Sequence, residues 1–249
     1  MTTREKVLAA LEKEKGSYIS GEALAKTCQV SRTAIWKSIS ELKESGYPIQ
    51  SVNNRGYMLE ESSNLISKAG ICMYLETPAG GKAARDKMAA RIQVYDELDS
   101  TNTEAKRKLF LSGERGLHGT VIVAKRQTSG RGHAGSRFAS PEGGIYLSIL
   151  LDAQKLQSPS VTESTAAAVC RVLERLFAVA VSKGKDSSLY VGQDKVCGIL
   201  TEGIVDLETG IYSSYIIGIG IWMKKLQALQ HACPQKNEVI AALIKELAF

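Results

Sequence analysis

Gln127-Thr128-Ser129-Gly130-Arg131-Gly132-His133-Ala134-Gly135 decides how the larger part of this 249-residue chain folds. Its last six residues have the spacing G-x-G-x-x-G. In a nucleotide-binding parallel sheet that turn must open a helix, because the helix N-terminus holds the pyrophosphate. Here Arg137 to Gly144 contains Pro141 and the pair Gly143-Gly144, and Ile145 to Leu151 then reads as a strand. The loop therefore joins two strands, Thr120 to Lys125 and Ile145 to Leu151, and the dinucleotide reading fails on context. Glycines beside Arg131 and Arg137 leave two readings. One is a mobile cationic loop that closes over a phosphate-bearing ligand through backbone N–H groups and guanidinium donors. The other is an ordinary flexible surface loop.

Outward from this loop, Ile92 to Leu98, Lys195 to Glu202 and Ser214 to Ile221 are further strand candidates, rich in Val, Ile and Tyr. Helices are predicted at Leu65 to Leu75, Thr162 to Val179 and Glu238 to Leu247, and from Thr101 to Leu111 behind a Thr101-Asn102-Thr103-Glu104 capping box. Thr77 to Ala90, with Pro78, Gly80 and Gly81, reads as an exposed loop. Alternating strands and helices predict a mixed α/β domain over residues 63–249, after a polar connection at Glu60 to Asn64.

Residues 1–62 have a different rhythm. Val7, Leu8 and Leu11 share one helical face, and Gly16-Ser17 ends it. Ser20 caps a second helix around Ala23, Leu24 and Ala25, and Ser31 caps a third whose Ile35, Ile39 and Leu42 point inward. Tyr47 to Val52 and Gly56 to Leu59 flank the turn Asn53-Asn54-Arg55-Gly56. Three short helices and a hairpin are the layout of a winged helix-turn-helix, so the whole is an α+β chain. In that layout Ser31, Arg32, Thr33, Trp36 and Lys37 face DNA and Arg55 sits at the wing tip. The alternative is a helical protein-interaction module with solvated charges. Nine basic against seven acidic residues in the first sixty decide little, but the third helix has no acid before Glu41.

Composition narrows the class. At 44% hydrophobic and 23% charged, the chain is neither fibrous nor disordered. The longest uncharged stretch, Thr209 to Met223, is 15 residues and partly polar, short of the roughly 20 apolar residues a membrane helix needs. Charges interrupt residues 1 to 15, so no secretion signal is expected and the cytoplasm is the expected compartment. Cys28, Cys72, Cys170, Cys197 and Cys233 show no paired spacing and read as reduced core residues. The net charge of +6 permits a polyanionic partner.

Five runs then fall in one order: Ser31-Arg32-Thr33-Ala34-Ile35-Trp36-Lys37, Asp99-Ser100-Thr101-Asn102, Gln127-Thr128-Ser129-Gly130-Arg131-Gly132, Ser140-Pro141-Glu142-Gly143 and Lys195-Val196-Cys197-Gly198-Ile199-Leu200-Thr201-Glu202-Gly203. Together, over nearly the whole chain, they resemble the bifunctional biotin protein ligase and biotin operon repressor family. The resemblance implies a winged helix-turn-helix joined to a biotin/lipoate ligase-type catalytic domain. It implies a chain that makes biotinyl-5′-AMP from biotin and ATP with Mg2+. The biotin then passes to a lysine of a biotin carboxyl carrier protein. It also implies repression from the biotin operon operator as a homodimer. Carried over by residue, Ser100, Thr101 and Asn102 bind biotin, and Gln127 contacts its ring. Gly130, Arg131, Gly132 and His133 belong to the loop over the adenylate, and Gly198 lines the pocket. Arg131 and either Lys183 or Lys185 are the expected catalytic cations. No protein-held metal is expected.

The chain departs from the family pattern at the adenylate. His133 stands for the loop's second Arg and Ser136 for its third, and an imidazole makes no bidentate phosphate contact. Lys183-Gly184-Lys185-Asp186-Ser187-Ser188 stands where the family has Lys-Trp-Pro-Asn-Asp, and Trp222 replaces the Asn after Gly218-Ile219-Gly220-Ile221. Met223 to Pro234 is shorter than the family pattern, and the family's small C-terminal β-barrel is expected to be missing beyond Phe249. Two other functions therefore stay open. One is a ligase-like regulator that only senses biotin or a related ligand. The other is lipoate or octanoate transfer, which shares the fold but gives no reason for a winged helix.

Overall fold

The computed structural model describes residues 1–75, 81–112, 116–156, 160–229 and 233–247. The chain forms two compact units, Met1–Glu76 and Thr77–Phe249.

In the first unit, α1 (Thr3–Lys13) opens on a capping box: Thr2 Oγ1 accepts from the Glu5 N–H, and the Glu5 carboxylate accepts from the Thr2 N–H. Ser20 caps α2 (Gly21–Cys28) and Ser31 caps α3 (Arg32–Glu44), each accepting from the N–H three residues on. Gln29, in a left-handed conformation, makes the tight link between them. β1 (Ile49–Val52) and β2 (Gly56–Leu59) form the antiparallel hairpin, with Val52 opposite Gly56. Gly56 has φ +101°, and a Cβ there would run into the Ile19 carbonyl, so only glycine fits. Val7, Leu11, Leu24, Ile35, Leu42 and Leu59 are the centre of the core. The helix α4 (Lys68–Tyr74) packs on α1, and Ser67 both caps it and donates a 3.0 Å hydrogen bond to Glu12. That contact brings residues beyond 62 into this unit.

In the second unit, α5 (Gly81–Ala90) is a helix where a loop is expected. The glycines misled: Gly81 stands at its first position, and apart from Asp86 the strong helix formers Lys, Ala, Arg and Met fill the rest. Residues 76–80 lie outside the described ones. There follow β3 (Ile92–Leu98), α6 (Thr101–Ser112), β4 (Thr120–Gln127), β5 (Ile145–Asp152), α7 (Val161–Phe177), β6 (Ser182–Lys183), β7 (Ser188–Val191), β8 (Asp194–Val205), β9 (Tyr212–Ile221), α8 (Met223–Leu229) and α9 (Lys236–Leu247). The seven strands form one mixed sheet in the order β3-β4-β5-β9-β8-β7-β6. Only the β3–β4 pair is parallel. β5 is buried from Ile145 to Leu151, as a central strand covered on both faces must be. α6 packs against β4, β5 and β9, while α7 packs against β8 and α9. The short β6 and β7 had no clear period in the sequence. This topology brings the ends of β3 and β4 and the start of β5 to the same side of the sheet as the start of β8 and the end of β9.

Candidate functional site

A cavity of about 330 Å3 opens where those strands meet. One wall is the junction between β3 and α6, where Ser100, Thr101 and Asn102 are almost wholly buried. Burying three polar side chains is tolerable only if they are hydrogen-bonded. Ser148, on the buried strand β5, provides that for Thr101 and Asn102: its Oγ lies 2.7 Å from Thr101 Oγ1 and 2.5 Å from Asn102 Oδ1. Gln127 Oε1, at the end of β4, accepts from the Thr101 N–H at 2.7 Å and from its hydroxyl at 3.1 Å, and Gln127 Nε2 donates to Ser140 Oγ at 2.8 Å. Asn102 Nδ2 donates to Glu202, which also holds Lys106 at 2.7 Å. The Thr101 hydroxyl is thus committed to Gln127 and Ser148 instead of capping α6. This corrects the expected capping box, since Glu104 turns to Arg107 and Lys108. Asp99, next to the junction, takes a two-pronged ion pair from Arg107 that holds its carboxyl below the usual range.

The floor is glycine. Gly198 on β8 and Gly220 on β9 are directly opposite each other, with Gly218 two residues along. A Cβ at Gly198 would come within 2.6 Å of the Phe138 ring, one at Gly220 would strike the same ring, and one at Gly218 would strike Asn102. Phe138 lies in the notch these residues leave. It stacks on Trp222 with centroids 4.7 Å apart at 14°, and the Trp222 indole donates to the Ala139 carbonyl at 3.0 Å.

The Gly-rich loop forms a closed hairpin. Arg131 bridges Arg137, the Gly132 N–H donates to the Ser136 carbonyl at 2.7 Å, and the Phe138 N–H donates to the Gly130 carbonyl at 2.9 Å. Gly130 has no room for a side chain, because a Cβ would lie 2.5 Å from the Phe138 carbonyl. The turn at its tip holds Ala134 and Gly135 in left-handed conformations. Arg131, His133 and Arg137 line the cavity mouth on this side. Lys195 lines it from β8, 3.5 Å from Asp186, whose carboxyl is held below its usual range chiefly by the Ser188 hydroxyl.

Of the residues expected at this site, Ser100, Thr101, Asn102, Gln127, Arg131, Gly132, His133 and Gly198 all line the one cavity, and Gly130, in the same loop, lines an adjoining hollow instead. Lys183 and Lys185 do not line it. Lys183 stands in the edge strand β6, 3.8 Å from Glu163, and Lys185 is exposed in the following turn. The sequence reading passed over Lys195, Asp186, Phe138 and Ser148. Only Ser148 left a local signal, as a small hydroxyl residue inside the apolar run of residues 145–151.

On the first unit, Ser31, Arg32, Thr33, Trp36 and Lys37 are exposed together along the start of α3. Arg55 lies at the hairpin turn, with its guanidinium 4.3 Å from the centre of the Tyr18 ring. Among the described residues, no helix is long and apolar enough to cross a membrane. The described residues also contain no group of three or more His, Cys, Asp or Glu placed to hold a metal ion.

Residues 3–58 match an HTH domain, and residues 94–221 match the biotin/lipoate A/B protein ligase family. The chain is 30% identical over 223 residues to the bifunctional ligase/repressor BirA of Bacillus subtilis, covering 88% of this chain and 65% of that one. It is 29% identical over 248 residues to the bifunctional ligase/repressor BirA of Escherichia coli, covering 93% of this chain and 72% of that one. The chain thus spans about two thirds of the length of these relatives. Among solved structures, the biotin protein ligase from Aquifex aeolicus in complex with biotin and ATP is similar, with a TM-score of 0.50 and 25% identity. That match covers 63% of this chain and 68% of that one.

Proposed function

The chain belongs to the biotin/lipoate A/B protein ligase family, and from that premise we propose that it is a biotin protein ligase with an attached DNA-binding repressor domain. The observation that supports it most is the polarity of one cavity. Its inner end offers paired donors and acceptors from Thr101, Asn102 and Gln127. Its floor is a flat glycine and aromatic surface, and its mouth is cationic through Arg131, Arg137 and Lys195. A cyclic urea satisfies such an inner end, an aliphatic chain crosses such a floor, and a carboxylate or phosphate sits at such a mouth. The helix-turn-helix match over residues 3–58 favours biotin over lipoate, since lipoate transfer gives no reason for a DNA-binding domain.

In the reaction, a carboxylate oxygen of biotin attacks the α-phosphorus of ATP and pyrophosphate leaves, giving biotinyl-5′-AMP. The carrier lysine, as the free amine, then attacks the acyl carbon and expels AMP. Fixed cations at the mouth stabilise the charge that gathers on the phosphoryl oxygens. We assign that work to Arg131 and Arg137 and, in place of Lys183 or Lys185, to Lys195. Among the described residues no group of carboxylates is placed to cage Mg2+, and the ion would arrive bound to the ATP phosphates. The α3 face and Arg55 would bind operator DNA, two copies reading two half-sites. The cytoplasm, where biotin, ATP, carrier and operator meet, is the compartment this function requires.

Biotin-dependent exchange of labelled pyrophosphate into ATP tests the first step. The expected result is exchange that needs both biotin and Mg2+. A chain that binds biotin in calorimetry yet shows no exchange would instead be a biotin-sensing regulator, the reading favoured by His133. A chain that neither binds biotin nor exchanges would have a pocket for another acid.

A further inference from the structure

Trp36, the fifth residue of α3, is 65% exposed. It lies one turn after Arg32, and Lys37 lies one turn after Thr33, so the four form one face, away from the buried Ile35, Ile39 and Leu42. All four are exposed, and none of their side chains forms a hydrogen bond or ion pair with a described residue. The flanks select what covers the indole. Arg32 and Lys37 have no acid beside them before Glu41, so the matching surface is a polyanion. An indole has an apolar ring and one N–H donor. In the major groove the apolar feature it can cover is the C5-methyl group of thymine, since the other edges present only donors and acceptors.

Resting on the DNA-binding reading above, we propose that Trp36 is a specificity residue that reads thymine. Its ring packs on the C5-methyl of one thymine in each half-site, while Arg32 and Lys37 fix the register of α3 in the groove. The operator accordingly carries a thymine at that position, and the discrimination comes from a methyl group.

The test uses the intact chain and duplexes that it selects from a randomised pool. In a selected duplex, each thymine is replaced in turn by uracil, which removes only the methyl. At one thymine per half-site, wild-type affinity is expected to fall roughly fourfold, which is about 0.8 kcal/mol at 1.4 kcal/mol per tenfold. Trp36→Ala is expected to bind the thymine and uracil duplexes equally. A wild-type chain that binds its selected duplex with no uracil-sensitive thymine would overturn the proposal without any substitution. So would a Trp36→Ala chain as uracil-sensitive as wild type. If no duplex is selected at all, the DNA-binding reading itself falls and takes this proposal with it.

Discussion

Lys195, Lys183 and Lys185 separate what residue types reveal from what position reveals. All three are lysines within a short stretch, but only Lys195 lines the cavity, because β8 runs through the middle of the sheet while Lys183 sits on its edge strand. Lys195→Ala is expected to lower biotin-dependent pyrophosphate exchange ten- to a hundredfold, the loss of one charge-assisted contact of about 1.5 to 3 kcal/mol. Lys183→Ala and Lys185→Ala should stay near wild type in the same assay. Adding a guanidinium by His133→Arg should slow the loss of labelled biotinyl-5′-AMP from the protein on a spin column by a similar factor. The glycine floor makes a steric prediction. A methyl at Gly220 meets the Phe138 ring, so Gly220→Ala must push that ring off Trp222 and should cost about 1 to 3 kcal/mol in thermal unfolding. Biotin affinity measured by calorimetry should fall with it. The residues that the sequence made legible are those whose motifs stay close along the chain, such as Ser100 to Asn102 and Gln127 to Gly132. Phe138 and Lys195 stayed hidden, because their roles depend on which strands are neighbours.

At the scale of elements, caps and periodicity read well where they act locally and badly where tertiary partners compete. Ser20 and Ser31 cap α2 and α3 as their positions require, whereas the Thr101 hydroxyl is engaged by Gln127 and Ser148 and leaves α6 uncapped by it. The helix α5 was hidden by Gly81 and by the breakers before it, and β6 and β7 are too short to show a period. The α1–α4 contact has a titratable group at its centre. Burial pushes the Glu12 carboxyl up, against the smaller effects of the Ser67 hydroxyl and Lys15. A raised folded-state value means that the protonated form is favoured on folding. Its stabilising effect is therefore full below the ordinary value of 4.5 and lost as pH rises through the raised one. Glu12→Gln, which keeps an acceptor for Ser67, should raise the thermal midpoint at pH 7.5, and the difference from wild type should shrink toward pH 4. A midpoint lowered at pH 7.5 would show that the ionised pair with Lys15 outweighs burial. On α3, Arg32→Ala with Lys37→Ala should weaken DNA binding and flatten its dependence on salt, since log K falls by about 0.9 per neutralised phosphate for each decade of salt. An unchanged salt slope in a titration series would remove both residues from the phosphate contacts.

For the whole molecule, the division into a helical unit with a hairpin and a mixed-sheet unit was legible because the hydrophobic period changes between them. The end of the first unit was less so: α4 joins it through Ser67 and Glu12, a contact between residues far apart in sequence. The cavity, too, exists only once β8 and β9 lie beside the ends of β3 and β4, which no single motif specifies. A ligase must deliver biotin from that cavity to a protein. The direct measurement is to incubate the intact chain with biotin, ATP-Mg and a biotin carboxyl carrier domain, and then to probe the carrier with labelled avidin. Biotin on the carrier, dependent on ATP and strongly reduced in Lys195→Ala, is the predicted result. An unlabelled carrier beside a chain that binds biotin would contradict the ligase assignment.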